Sequence, residues 1–215
     1  SMESFFGEIE GASFEIIEEE FNSCLTGHGR VERLWTGARW VEGPVWFPAG
    51  KFLLFSDIPN NRMLRWDETN GSVSEFRKPS NFSNGNTRDL QGRLITCQHF
   101  TRSVTRTEHS GEVTTLASHF DGKRLNSPND VVVKSDGSIW FTDPDYGIMS
   151  DYEGCKSPNE QDSCNVFRID QKTGNIHLIT DQLVKPNGLC FNNSEDKLYV
   201  SDTGGSHIAG GPRHI

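Results

Sequence analysis

No stretch of about 18 consecutive apolar residues occurs in this 215-residue chain, and apolar residues make up only 33% of it, so a transmembrane helix is excluded. The opening SMESFFGEIEGASFEIIEEEF has no basic start followed by an apolar run, and no secretory signal is expected. Lys and Arg number 21 against 30 Asp and Glu, giving a formal net charge of −9, and they nowhere cluster. Such a chain is a poor partner for a phosphate backbone or an anionic lipid surface, so neither nucleic acid nor membrane is expected. Cysteine is sparse: five residues, an odd number, with no C-x-x-C pair to suggest zinc or dithiol redox chemistry. Free thiols in a reducing, cytoplasmic setting are the expectation. Cys155 and Cys164 share one polar loop, and their spacing leaves open whether they pair. A G-x-S-x-G elbow, a P-loop and a dinucleotide fingerprint are also missing, which weighs against covalent serine and nucleotide chemistry.

What is present is a repeat. GKFLLFSD, GRLITCQ, GSIWFTD and DKLYVSD each read as a turn followed by a β-rich strand, ending at Asp57, Gln98, Asp143 and Asp202. After the first three come RMLRWDETNGSVSEF, RSVTRTEHSGEVTTL and NVFRIDQKTGNIHLI, each a strand, a turn carrying Gly71, Gly111 or Gly174, and another strand. Four strands in roughly 40 to 45 residues is the signature of a propeller blade. The last interval is stretched by a polar insertion around Ser150 to Ser163. A stacked sandwich would also give strands and turns, but not the same strand-end residue again and again. The expected fold is therefore all-β, a β-propeller of about four blades over residues 35–215, preceded over 1–34 by an acidic arm. Phe14, Ile17 and Phe21 stand at helical spacing there and suggest a short helix.

Fourteen or fifteen residues before each strand-end anchor, at one phase of the repeat, stand Glu42, Asn84, Asn129 and Asn187. The first two strands of a blade run antiparallel, so the start of one and the end of the other share a rim. One mouth of the central channel is then ringed by these four, with Asp57, Gln98, Asp143 and Asp202 behind. Taken singly, each Asn or Asp is the ordinary capping residue of a turn. Recurring together in Glu42-Gly-Pro, Pro-Asn129-Asp130 and Pro-Asn187-Gly188, they supply the oxygen donors that a hard cation such as Ca²⁺ or Mg²⁺ requires. Asn84 lacks the preceding Pro and is the weakest member. His99 follows Gln98 near the same mouth, either to hydrogen-bond a substrate or as a solvated loop histidine.

At these residues the sequence resembles the gluconolactonase branch of the senescence-marker-protein, gluconolactonase and luciferin-regenerating-enzyme family of six-bladed propellers. The resemblance rests on VEGPVWFPAGKFLLFSDIPNNRMLRWD, GNTRDLQGRLITC, VTRTEHSGEVTTL, GKRLNSPNDVVVKSDGSIWFTDPDYG, KPNGLCF and LYVSDTGG, from about Glu42 to the end. It implies a lactonase acting on a sugar lactone such as a gluconolactone. It also implies one divalent cation held by Glu42, Asn129 and Asn187, with Ca²⁺ expected first and Mg²⁺, Mn²⁺ or Zn²⁺ as alternatives. The cation would polarise the lactone carbonyl while an activated water attacks. The family's remaining ligand is an Asp in a P-D-G segment of a later blade. No such segment follows Asn187, so a C-terminally truncated relative is expected, with Asp202 as stand-in base, impaired turnover and open edge strands able to pair into a homo-oligomer. Asp130 is expected to orient Asn129. In the senescence-marker branch an Arg stands where this chain has Ser127, and that branch's sugar contacts do not transfer. A calcium-dependent phosphotriesterase-like or aryl-esterase propeller would use the same ring, and a non-catalytic interaction propeller the same fold.

Overall fold

The computed structural model describes residues 6–215, which divide into two compact units, one ending at Ala38 and one running from Arg39 to Ile215. The first five residues of the expected acidic arm lie outside the described residues. The rest of that unit holds a two-residue ladder, β1 (Gly7–Glu8) against β2 (Glu32–Arg33), and a 3₁₀ turn over Glu19–Cys24. The expected helix is shorter than the spacing of Phe14, Ile17 and Phe21 suggests: the 3₁₀ turn starts only at Glu19, and Glu15 stands three and four residues from the like charges of Glu18 and Glu19.

From Arg39 onward the repeats become sheets. β3 (Val41–Phe47), β4 (Phe52–Asp57), β5 (Arg62–Asp67) and β6 (Val73–Arg77) form an antiparallel meander. So do β7 (Ser83–Arg88), β8 (Leu94–Gln98), β9 (Ser103–Thr107) and β10 (Val113–Ala117). A small hairpin, β11 (His119–Phe120) and β12 (Lys123–Arg124), leads to β13 (Val131–Val133) and β14 (Ile139–Asp143). A single helical turn, α1 (Tyr146–Met149), opens the polar insertion before β15 (Asn165–Ile169) and β16 (Ile176–Thr180) complete the third sheet. The last sheet pairs β17 (Pro186–Phe191) with β18 (Leu198–Asp202). Gly71, Gly111 and Gly174 all take positive φ in the outer hairpins, as turns of this kind require.

The innermost strands pack side by side in the order β3, β7, β13, β17, and the sheets stack face to face around them, giving the β-propeller arrangement. Between the second and third blades lies the main core, with Ile95, Cys97, Val104, Leu125, Phe141 and Phe167 fully buried. The rings of Phe141 and Phe167 sit 5.4 Å apart. Each such side chain contributes about 2 kcal/mol by burial. A smaller cluster of Val45, Leu54, Met63 and Leu94 joins the first two blades. All five cysteines are free, so Cys155 and Cys164 do not pair. Burial pushes the Cys164 thiol up to about 12, which leaves it an inert core group.

Candidate functional site

Pairing at the rim follows the antiparallel logic of the repeat. Val41 faces Asp57, Ser83 faces Gln98 and Pro186 faces Asp202, while the Asn129 N–H donates to the Thr142 carbonyl at 2.9 Å. In β3, β7 and β17 the ladder shifts register at the candidate residue, between Glu42 and Val45, Ser83 and Asn86, and Pro186 and Leu189. A bulge frees a side chain from the pleat and re-aims it. β13 starts only at Val131, just after Asn129.

The result is one cavity of about 220 Å³ on the propeller axis, lined by Glu42, Asn84, Asn129 and Asn187 together. Its walls are Trp40, Ile58, Tyr146, Glu153, Thr203, Ser206 and His207, with no lysine or arginine among them. The Trp40 indole Nε1–H donates to Glu42 Oε1 at 3.3 Å. Tyr146 bridges its hydroxyl to Thr203 Oγ1 at 2.8 Å and Ser206 Oγ at 2.6 Å, fixing the opposite wall. Asn129 is only 6% exposed, yet neither its carboxamide nor that of Asn187 hydrogen-bonds any other described residue. Asn187 is half-buried, and both amides line the cavity with their polar atoms open to it. Carboxamide oxygens and the carboxylates of Glu42 and Glu153, with no thiol, are donors of the kind a hard cation takes. Among the described residues no three His, Cys, Asp or Glu side chains form a metal cluster. Three of the four recurring residues that line the cavity are amides.

Residues 40–210 match the SMP-30/Gluconolactonase/LRE-like region. The chain belongs to that family. It is 35% identical over 188 residues to a gluconolactonase of Zymomonas mobilis, covering 80% of this chain and 51% of that protein. The chain thus spans about half the length of that relative. A solved structure of a gluconolactonase from Xanthomonas campestris superposes with a TM-score of 0.86 at 36% identity, covering 94% of this chain and 67% of that one. A second solved structure, of a putative gluconolactonase, gives a TM-score of 0.82 at 36% identity, over 98% and 72% of the two chains.

None of His99, Asp202 and Asp130 belongs to the lining of the axial cavity. His99 does not reach the mouth: it is 1% exposed and sits behind Asn84. Its Nδ1 lies 2.7 Å from the Glu153 carbonyl oxygen, which only accepts, so the proton is on Nδ1. Burial lowers the imidazole pKa to about 4, so the ring is neutral and Nε2 is an acceptor. Asn84 Nδ2, at 3.2 Å, must then be the donor, and the Asn84 oxygen is the atom left for the cavity. His99 thereby orients the Asn84 carboxamide.

Asp202, the expected base, is buried with its carboxylate bonded to backbone donors. Its Oδ1 accepts from the Lys185 and Gly204 backbone N–H groups at 2.9 and 3.1 Å, and Oδ2 from Val184 at 2.9 Å. Burial raises its pKa, but those three bonds and the His214 charge outweigh it and leave the carboxyl below its ordinary range. Its oxygens hold the peptide leading into Asn187 and the Gly204 N–H that follows Asp202. Asp57 does the same for Arg39 and Trp40 ahead of Glu42, and Asp143 for Asn126 ahead of Asn129. Asp130 does not orient the Asn129 side chain either. Its Oδ2 accepts the Leu189 N–H of the next blade at 3.0 Å and its Oδ1 the Val131 N–H at 2.9 Å.

The neutral His99 has a pH consequence with a definite sign. Its folded pKa lies below the ordinary 6.5, so the unfolded chain takes up a proton first as pH falls. Stability is fully present above pH 6.5 and is lost progressively toward pH 4. Asp143, raised by burial to about 7, acts in the opposite sense, so the comparison must hold it fixed. Between pH 7 and pH 5, His99→Gln should lose about 2 kcal/mol less stability than the parent in urea denaturation. Identical pH slopes would show that His99 is not held neutral.

Proposed function

We propose that the axial cavity is the divalent-cation site of a lactonase that opens a sugar lactone such as a gluconolactone. The observation that carries this reading is the set of unpartnered carboxamides, Asn129 and Asn187, meeting Glu42 in one cavity of a gluconolactonase-family propeller. Ca²⁺ suits a donor set made only of oxygen. A bound divalent cation would supply a Lewis acid to the lactone carbonyl oxygen.

The chain's own residues supply the rest. Glu42 contributes a carboxylate charge, steadied by the Trp40 indole N–H. Asn84, Asn129 and Asn187 contribute neutral oxygens, which add donors without further charge. Trp40, Ile58 and Tyr146 offer apolar surface against which the lactone ring can lie, leaving its carbonyl toward the ring of donors. Hydrolysis then joins a water oxygen to the carbonyl carbon and breaks the ring C–O bond, giving a hydroxy acid.

Glucono-δ-lactone hydrolysis followed by pH-stat titration tests the proposal. Turnover should fall to the uncatalysed rate in EDTA and return on adding Ca²⁺. Turnover indifferent to EDTA removes the cation from the reading, and turnover of an aryl ester or phosphotriester with none of the lactone favours the esterase-like alternative.

A further inference from the structure

The polar insertion breaks the period of the repeat and carries no counterpart in the other blades, yet it enters the axial cavity. Glu153 lines that cavity alongside Glu42. Two packing features hold it there. The His99 Nδ1–H donates to the Glu153 carbonyl at 2.7 Å, while the same imidazole accepts from Asn84. Beneath, Gly154 and Gly147 touch so closely that a Cβ on Gly154 would lie 2.0 Å from the Gly147 carbonyl oxygen, and one on Gly147 would lie 2.5 Å from the His99 ring. The loop is seated against the ring of donors and not draped over it.

Among the described residues, no hydrogen bond or ion pair ties down the Glu153 carboxylate. Burial raises its pKa, and the Glu42 charge raises it further. Two carboxylates thus share a cavity without a lysine or arginine, beside the unpartnered carboxamide of Asn129. Glu153 is half-buried and Glu42 exposed; their like charges repel, and a divalent cation between them removes that repulsion.

We propose that Glu153 is a second carboxylate donor to the axial cation, joining Glu42, Asn84, Asn129 and Asn187. This rests on the cation reading of the cavity given above. Five protein oxygens then surround the ion, which leaves room within the six to eight that Ca²⁺ takes for water or substrate. The two negative charges balance the ion, and His99 becomes the single side chain that seats two of the donors.

Titration calorimetry with CaCl₂ on the full chain tests this without recourse to turnover, comparing the parent with Glu153→Gln and Glu42→Gln. Glu153→Gln should weaken Ca²⁺ at least tenfold and shrink the Ca²⁺-induced rise in melting temperature. In EDTA the same variant should melt no lower than the parent, because a repulsion has been removed and no hydrogen bond lost. Affinity within twofold of the parent in Glu153→Gln, with a tenfold loss in Glu42→Gln, would overturn the role of Glu153 and leave the cavity reading intact. A lower melting temperature in EDTA would also overturn it, by showing that the carboxylate is a structural partner. If the parent takes up no Ca²⁺, the cavity reading itself fails.

Discussion

Glu42→Gln is expected to weaken Ca²⁺ binding by at least an order of magnitude and to reduce lactone turnover by about a hundredfold or more. The substitution keeps the shape of the side chain and its acceptor oxygen for the Trp40 indole, so packing is little changed. What it removes is charge, in a cavity whose other recurring donors, Asn84, Asn129 and Asn187, are all neutral. An amide oxygen is a weaker donor to a hard cation than a carboxylate, and nothing nearby replaces the lost charge except Glu153. Asn84→Ala should cost much less, since it deletes one neutral donor of several and leaves the charge intact. Calorimetry with Ca²⁺ on both variants decides the matter. Unchanged affinity in Glu42→Gln removes Glu42 from the site, and equal losses in the two variants mean that charge is not what holds the ion.

The repeat made the blades and the ring of Glu42, Asn84, Asn129 and Asn187 legible in the sequence, because a residue's phase in an antiparallel meander fixes the rim it occupies. Phase does not report what a side chain does at that rim. Asp202 shares its phase with Asp57 and Asp143, and all three turn out to hold backbone N–H groups of the segment that precedes a cavity residue. That is the ordinary capping chemistry of Asp, which the sequence pattern alone cannot separate from catalysis. His99 sits behind Asn84 and not beside it, a distinction of depth that periodicity does not encode. Glu153 was missed for the opposite reason: it lies in an insertion, outside any phase, and only the packing of Gly147, Gly154 and His99 carries it to the axis. The one signal available beforehand was that the insertion follows a strand ending at the same rim.

The glycines after the cavity residues carry a sharper expectation. At Gly85 a Cβ would lie 2.3 Å from the Asn129 carbonyl oxygen and 2.8 Å from the Asp130 Cα, both backbone atoms of the neighbouring blade. The Gly85 N–H donates to that same carbonyl at 2.7 Å, so the contact is an inter-blade hydrogen bond as well as a close approach. Neither backbone atom can turn aside as a side-chain tip would; accommodating a methyl group means separating β7 from the segment that holds Asn129. Gly85→Ala is therefore expected to cost about 3 kcal/mol, lowering the melting temperature by roughly 10 °C for a unit of this size, and to weaken Ca²⁺ binding by displacing Asn129. Gly188, at the same phase one blade after Asn129, provides the control. A Cβ there would meet Ser201 Oγ at 3.4 Å, an ordinary contact, and its φ does not demand glycine. Gly188→Ala should stay within about 1 kcal/mol of the parent. Thermal melts of the two variants side by side separate the effects: equal melting temperatures would show that the inner strands tolerate a methyl group at either crossing, and that the glycine after Asn84 is not what lets the blades close on the cavity.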